Sequence, residues 1–235
     1  MPKIAQDRIE ENQRRIEDAA LALFTRQGFH GTNIREIAQK AEVSTGAIYT
    51  YYPTKEALFV SLVGHYEERM KKLRDRLFQG IRAPFAKQEI RRLAAEIRSM
   101  VYDNADYWLL MYIDVIEFSN QHFVFMFQEM PEKIRHRLGP ALQKVKTQPG
   151  WSGRDPAFVF TSIYMYILQY FLIEKLFQGN RHLGVSDEQA IEFFVQLLAE
   201  GTWNSRRRVA RKTPRFSGKR ANGAQRREQR ALAVS

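Results

Sequence analysis

On a helical wheel over residues 45–51, Thr45, Gly46, Tyr49 and Thr50 gather on one side, while Ile48, Tyr51 and Tyr52 turn to the other. The first side is small and polar, which suits close approach to a DNA major groove. The Thr45 and Thr50 hydroxyls can reach base edges or methyl groups, the Tyr49 phenol can bond a phosphate, and Gly46 removes a side chain where two backbones would be closest. Thr32 and Asn33 stand where a helix begins and offer amides to a phosphate, and Lys55 adds a cation in another first turn. Catalytic chemistry has no comparable pattern. The histidines at 30, 65, 122, 136 and 182 lack the His-Glu-x-x-His spacing, no nucleophile elbow occurs, and no glycine-rich phosphate loop follows a strand. With no cysteine, thiolate catalysis and cysteine-bound zinc are excluded and a reducing compartment is expected. The expectation is a binding protein, not an enzyme, with no metal and no cofactor.

Short helices and tight turns must position these side chains. Ile16, Ala19, Ala20, Leu23 and Phe24 trace the stripe of a helix with one buried face, ended by Gly28. Asn33 and Glu36 have the spacing of a capping box, with Ile34, Ile37, Ala38 and Ala41 as the apolar side of the helix they start. A turn over Ala41 to Val43 leads to Ser44, an N-cap for the helix 45–51. Pro53 stops that helix, and Thr54 caps a long one from Lys55 to about Gln79. Helical periodicity continues over roughly 87–103, 105–119, 121–147, 156–178 and 187–205, with no hairpin or alternating strand pattern between.

The formal net charge is +11, but its distribution is uneven. Residues 1–60 carry 8 basic and 8 acidic side chains, whereas 204–235 carry 11 and 1. The excess therefore sits in a tail too poor in large apolar residues to pack a core, and overall basicity says nothing about the N-terminal region. The first residues show no apolar secretory core, which points to the cytoplasm.

These residues resemble the TetR family of bacterial one-component repressors. The resemblance rests on Ile16, Ala19, Ala20, Leu23, Phe24, Gly28, Phe29, Thr32, Ile37, Ala38, Ala41, Val43, Ser44, Gly46, Ile48, Tyr49, Lys55, Glu56 and Leu58, and covers about residues 12–60. It implies a DNA-binding set of Thr32, Asn33, Ser44, Thr45, Gly46, Ala47, Tyr49, Thr50, Tyr51 and Lys55. Two departures from the family pattern have physical content. Glu42 stands where glycine is common, in a turn that would place it in the left-handed region. Tyr52 replaces the usual phenylalanine, and its hydroxyl needs a partner.

From Pro156 to Ile173 no charge appears, a run as long as a transmembrane helix. Thr161, Ser162, Gln169 and the mid-helix tyrosines 164, 166 and 170 argue for a helix buried on several sides instead. By resemblance, this helix and the last one form a four-helix bundle with their two-fold mates, with Ile163, Ile167, Phe171, Phe194, Leu197 and Leu198 as candidate interface residues. Tyr102, Trp108, Tyr112, Phe123, Phe127 and Tyr164 are candidates for an aromatic effector cavity, with carboxylates nearby for a lipophilic, even cationic, molecule.

The whole reads as an all-α chain. Residues 1–55 form a three-helix helix-turn-helix DNA-binding domain, 56–203 a helical ligand-binding and dimerisation domain, and 204–235 a basic tail. The expected function is a homodimeric repressor of a palindromic operator, released by a lipophilic small molecule and not inserted in a membrane. The alternative is an architectural nucleic-acid-binding protein acting through the tail.

Overall fold

The computed structural model describes residues 3–151, 154–178 and 184–201, with side chains described over 7–124, 128–151, 154–178 and 184–198. Within them the chain is helical throughout: α1 Lys3–Gln27, α2 Ile34–Ala41, α3 Thr45–Tyr51, α4 Lys55–Phe78, α5 Lys87–Tyr102, α6 Ala105–Glu117, α7 Val124–Lys146, α8 Pro156–Phe177 and α9 Asp187–Gly201. The basic tail lies outside the described residues.

The expected caps are in place. Asn33 Oδ1 accepts from the Glu36 amide at 3.0 Å, and Glu36 Oε2 accepts from the Asn33 amide at 3.3 Å, a complete capping box. Ser44 Oγ and Thr54 Oγ1 accept from the amides of Ala47 and Ala57. The apolar stripe of α1 meets Ile37, Ala38, Ala41 and Ile48 in a small core, all 6% exposed or less. Tyr52 finds its partner: its hydroxyl donates to Glu17 Oε1 at 2.8 Å, and Ser61 and His65 of α4 bind the same carboxylate. Burial, and then the bond to Glu17, push the Tyr52 phenol well above the ordinary tyrosine range.

α4 runs out of this trihelical unit and packs on α5, α6 and α7; α8 packs on α5, α6 and α7, and α9 lies along α5. One expected boundary moves. α7 begins at Val124, not near 121, because Ser119 and Asn120 take positive φ and the chain folds back over the end of α6. The fully buried Asp114 carboxylate holds that turn, accepting from the amides of His122 and Phe123 and pairing with His122 Nδ1 at 2.6 Å. α8 is long and apolar enough to cross a membrane by composition, yet half of its most apolar window is buried against the other helices.

Glu42 has φ 54° and ψ 44°, the left-handed conformation expected of the α2–α3 turn. Its carboxylate meets Arg15 at 2.9 Å on an exposed surface. Glu42→Gly relieves left-handed strain of ~1 to 2 kcal/mol. It forfeits ~0.5 to 1 kcal/mol of unfolded-chain entropy and ~0 to 1 kcal/mol of exposed ion pair. A small rise in melting temperature is expected; a clear fall would show that the Arg15 pair outweighs the strain.

Candidate nucleic-acid interface

α3 presents to solvent the side that the wheel isolates. Ser44, Thr45, Gly46, Tyr49 and Thr50 are exposed, Ala47 and Tyr51 are half-buried, and Ile48 and Tyr52 are inside. A Cβ added to Gly46 would meet nothing closer than Ser44 Oγ at 3.8 Å. No neighbour within the protein therefore demands a glycine there. The Thr50 hydroxyl donates to the Gly46 carbonyl at 3.0 Å, so its oxygen can still accept and its methyl remains free for an apolar contact. Asn33 is exposed, as is Arg35 in the first turn of α2. Spacing alone did not single out Arg35, which is one more cation among solvated helix charges in the sequence.

Three of the sequence candidates do something else. Thr32 is 1% exposed, with its hydroxyl donating to the Gly28 carbonyl and its amide to the Phe29 carbonyl, so neither is free for a phosphate. The Asn33 amide is likewise taken by Glu36. Lys55 is turned inward: its ammonium donates to the carbonyls of Phe29 and Thr32 at 2.7 and 2.6 Å and sits 4.2 Å from the Phe29 ring centroid. Burial lowers its pKa from the ordinary lysine value, opposed by the charge of Glu117. A hydrogen-bonded, half-buried ammonium is a structural tie and not a surface cation.

Glu117, at the end of α6, completes that tie. Its carboxylate accepts from the amides of Phe29 and His30 at 3.0 and 2.7 Å, across 88 and 87 residues of sequence. The loop between α1 and α2 is thus held by a cation on its carbonyls and an anion on its amides. Gly28 makes the approach possible, since it has φ +79° and any Cβ would lie 2.6 Å from the carboxylate. Aromatic rings seal the joint: Phe118 stacks on Phe59 at 4.8 Å and meets Phe29 edge-on at 4.6 Å. In the sequence Glu117 is one of five acids in a segment without Lys or Arg, and nothing there distinguishes it.

None of the five effector candidates with described side chains lies in the lining of the cavity between α4 and α7. Trp108, Phe123 and Tyr164 are packed in the core at 2% exposure or less, Tyr102 and Tyr112 are partly buried, and the Phe127 side chain lies outside the described residues. That cavity, of about 530 Å³, is lined among others by Lys71, Arg74, Phe78, Met130 and Arg137. The acids of 99–130 are not its wall, except Glu129; Asp114 and Glu117 are occupied with backbone amides. Aromatic density in the sequence marked the core, the commoner use of such residues. Among the described residues, no group of His, Asp and Glu could hold a metal ion.

The interface candidates also need correction. Ile163, Ile167, Phe171 and Phe194 are at most 4% exposed within one protomer, so they have no surface left for another. Leu198 is half-buried against α5, and Leu197 is 48% exposed. The apolar side chains left open on α8 are Phe158, Tyr166, Ile173 and Phe177, spaced as a second helical stripe, and on α9 Phe193 joins Leu197. A helix apolar all round has two such stripes, and periodicity cannot say which one its own chain covers.

With the geometry in view, comparison with known proteins is direct. The bacterial regulatory proteins of the tetR family match this chain over residues 16–62. The transcriptional repressor KstR of Mycolicibacterium smegmatis is 38% identical over 66 residues, 28% of this chain and 32% of that protein. The first curated relatives are matched over 21% to 32% of their own length. Solved structures are similar over more of the fold. A TetR-like regulator from Rhodococcus sp. RHA1 has a TM-score of 0.58 at 18% identity, covering 81% of this chain and 94% of its own. The regulator FadR from Bacillus subtilis, in complex with stearoyl-CoA, has a TM-score of 0.53 at 16% identity, covering 80% and 98%.

Removing the Glu117 carboxylate should loosen the loop that α2 starts from. Glu117→Ala is expected to cost about 3 kcal/mol in urea denaturation, as two charge-assisted bonds are lost, and Glu117→Gln less. A loss below about 1 kcal/mol would show that Lys55 and the aromatic packing hold the α1–α2 loop without the carboxylate.

Proposed function

Because this chain belongs to the tetR family of helix-turn-helix regulators, we propose that it is a homodimeric repressor of a palindromic operator, released in the cytoplasm by a lipophilic small molecule. Residues 1–55 bind the operator and 56–203 dimerise and hold the effector. The observation that carries this reading is the exposed face of Thr45, Gly46, Tyr49 and Thr50, in which no neighbour within the protein requires Gly46 to lack a side chain.

A two-turn helix reads too few base pairs alone, and a dimer sets two such helices on successive major-groove faces. The exposed stripe of Phe158, Tyr166, Ile173 and Phe177, with Phe193 and Leu197, supports α8 and α9 as the surface that the second protomer covers. The structural neighbour crystallised with stearoyl-CoA supports a lipophilic effector. Coupling follows two routes. α4 belongs to both halves, and Glu117 on α6 grips the loop before α2, so a ligand that favours one packing of α4 and α6 changes the spacing of the recognition helices. It does so only if it binds the two packings unequally.

Selection of bound fragments from a random duplex pool, with wild type beside Tyr49→Ala, tests the DNA reading. One palindrome is expected to be enriched by wild type, with operator affinity at least about tenfold weaker in the variant. Binding without enrichment, unchanged by the variant, would move the activity to the basic tail and overturn the repressor assignment. Ile173→Glu places a charge in the proposed interface and is expected to weaken dimerisation about 30-fold or more in analytical ultracentrifugation. An unchanged dimer would put the two-fold contact elsewhere.

A further inference from the structure

The cavity between α4 and α7 is not lined for a cation. Each of its acids is already paired: Asp75 with Arg137 at 2.6 Å, Glu129 with Lys133 at 2.6 Å, and Glu132 with Arg135. Lys71, in contrast, makes no ion pair among the described residues. Arg74, deeper on the same helix, has a side chain only 12% exposed. Its one carboxylate partner is Glu67, one helical turn and three residues back, itself only 15% exposed. The Tyr107 hydroxyl is its other hydrogen-bond partner, and the guanidinium lines the cavity beside Lys71. Phe78 and Met130, 7% and 5% exposed, supply an apolar wall beside these cations. At about 530 Å³ the space is that of a small-molecule site.

Resting on the reading of this chain as a ligand-responsive regulator, we infer that the α4–α7 cavity takes an amphiphile with an anionic head, and that Arg74 changes partner from Glu67 to that head. The apolar part of the ligand lies against Phe78 and Met130, and Lys71 adds a second positive charge. Glu67 is also where α6 is tied to α4: the Tyr107 hydroxyl donates to Glu67 Oε2 at 2.8 Å. An anion that draws the guanidinium away leaves Glu67 with Tyr107 alone, in a site where an uncompensated carboxylate is costly. The α4–α6 contact then has a different lowest-energy arrangement with ligand than without, and α6 ends in Glu117, on the loop before α2. Carboxylate and phosphate heads share this chemistry, and the choice between them is left to the experiment.

The test uses the full chain and three probes of one tail length: dodecanoate, dodecanoyl-CoA and dodecanol. Each competes against the fluorescent fatty acid 11-(dansylamino)undecanoate. At least one anionic probe is expected to bind wild type about tenfold or more tightly than the alcohol. The stronger of the two identifies carboxylate or phosphate as the head. Glu67→Gln frees Arg74 from its competitor and should tighten the anionic probe several-fold. Arg74→Gln alone strands a buried carboxylate, so the discriminating variant is Arg74→Gln with Glu67→Gln, checked by its melting temperature. Its preference for the acid over the alcohol should fall several-fold, to what Lys71 alone supports. Equal binding of acid and alcohol by wild type, failure of all three probes, or a preference undiminished in the double variant would overturn the inference, and none of these touches operator selection. Loss of operator selection with anion binding intact would overturn the regulator reading and leave the site.

Discussion

The loop of residues 28–33 is the constraint on which the DNA-facing half of this structure depends. It sets where α2 starts, and through α2 where α3 lies. Its backbone groups cannot be satisfied by a regular ladder, so two side chains from distant helices do it. The Lys55 ammonium takes two carbonyls and the Glu117 carboxylate takes two amides. Ammonium and carboxylate also favour each other across the loop, which offsets part of the cost of placing both where water is scarce. The trihelical unit is therefore not an independent bead on a string. Its entry loop is built partly from α4 and partly from α6.

This arrangement explains why residues expected to touch DNA are split between two duties. Thr32, Lys55 and the Asn33 amide close the loop internally. Thr45, Gly46, Tyr49 and Thr50 are left with few internal partners, on a helix whose other side is fully used by Ile48 and Tyr52. The Tyr52 hydroxyl that departs from the family pattern is bound to Glu17, which also receives Ser61 and His65. The back of α3 is thereby pinned to α1 and α4 together, so its orientation follows α4.

In the larger half, charge is distributed by the same logic. Two of the three carboxylates of α6 serve backbone amides, Asp114 at the turn into α7 and Glu117 at the loop before α2, and are not offered to a ligand. The cavity instead carries Lys71, Arg74, Lys133 and Arg137 from the neighbouring α4 and α7. Aromatic side chains that looked like a binding surface fill the core around Tyr107, Trp108 and Phe123, because large rings bury the most area where helices cross.

By itself the sequence determined the helices, their caps and the hydroxyl-bearing face of α3. All of these depend on groups within three or four residues of one another, as when Asn33 meets Glu36 or Ser44 meets Ala47. Only the tertiary structure decided what Lys55 and Glu117 bind, which acids are spent on amides, where a cavity opens, and which of two apolar stripes on α8 remains outside. Those outcomes join residues tens of positions apart, as Phe29 and Glu117 are, and a charge or an apolar side chain carries no mark of its distant partner. Local hydrogen-bond reach is written into spacing; long-range pairing is settled only when the helices pack.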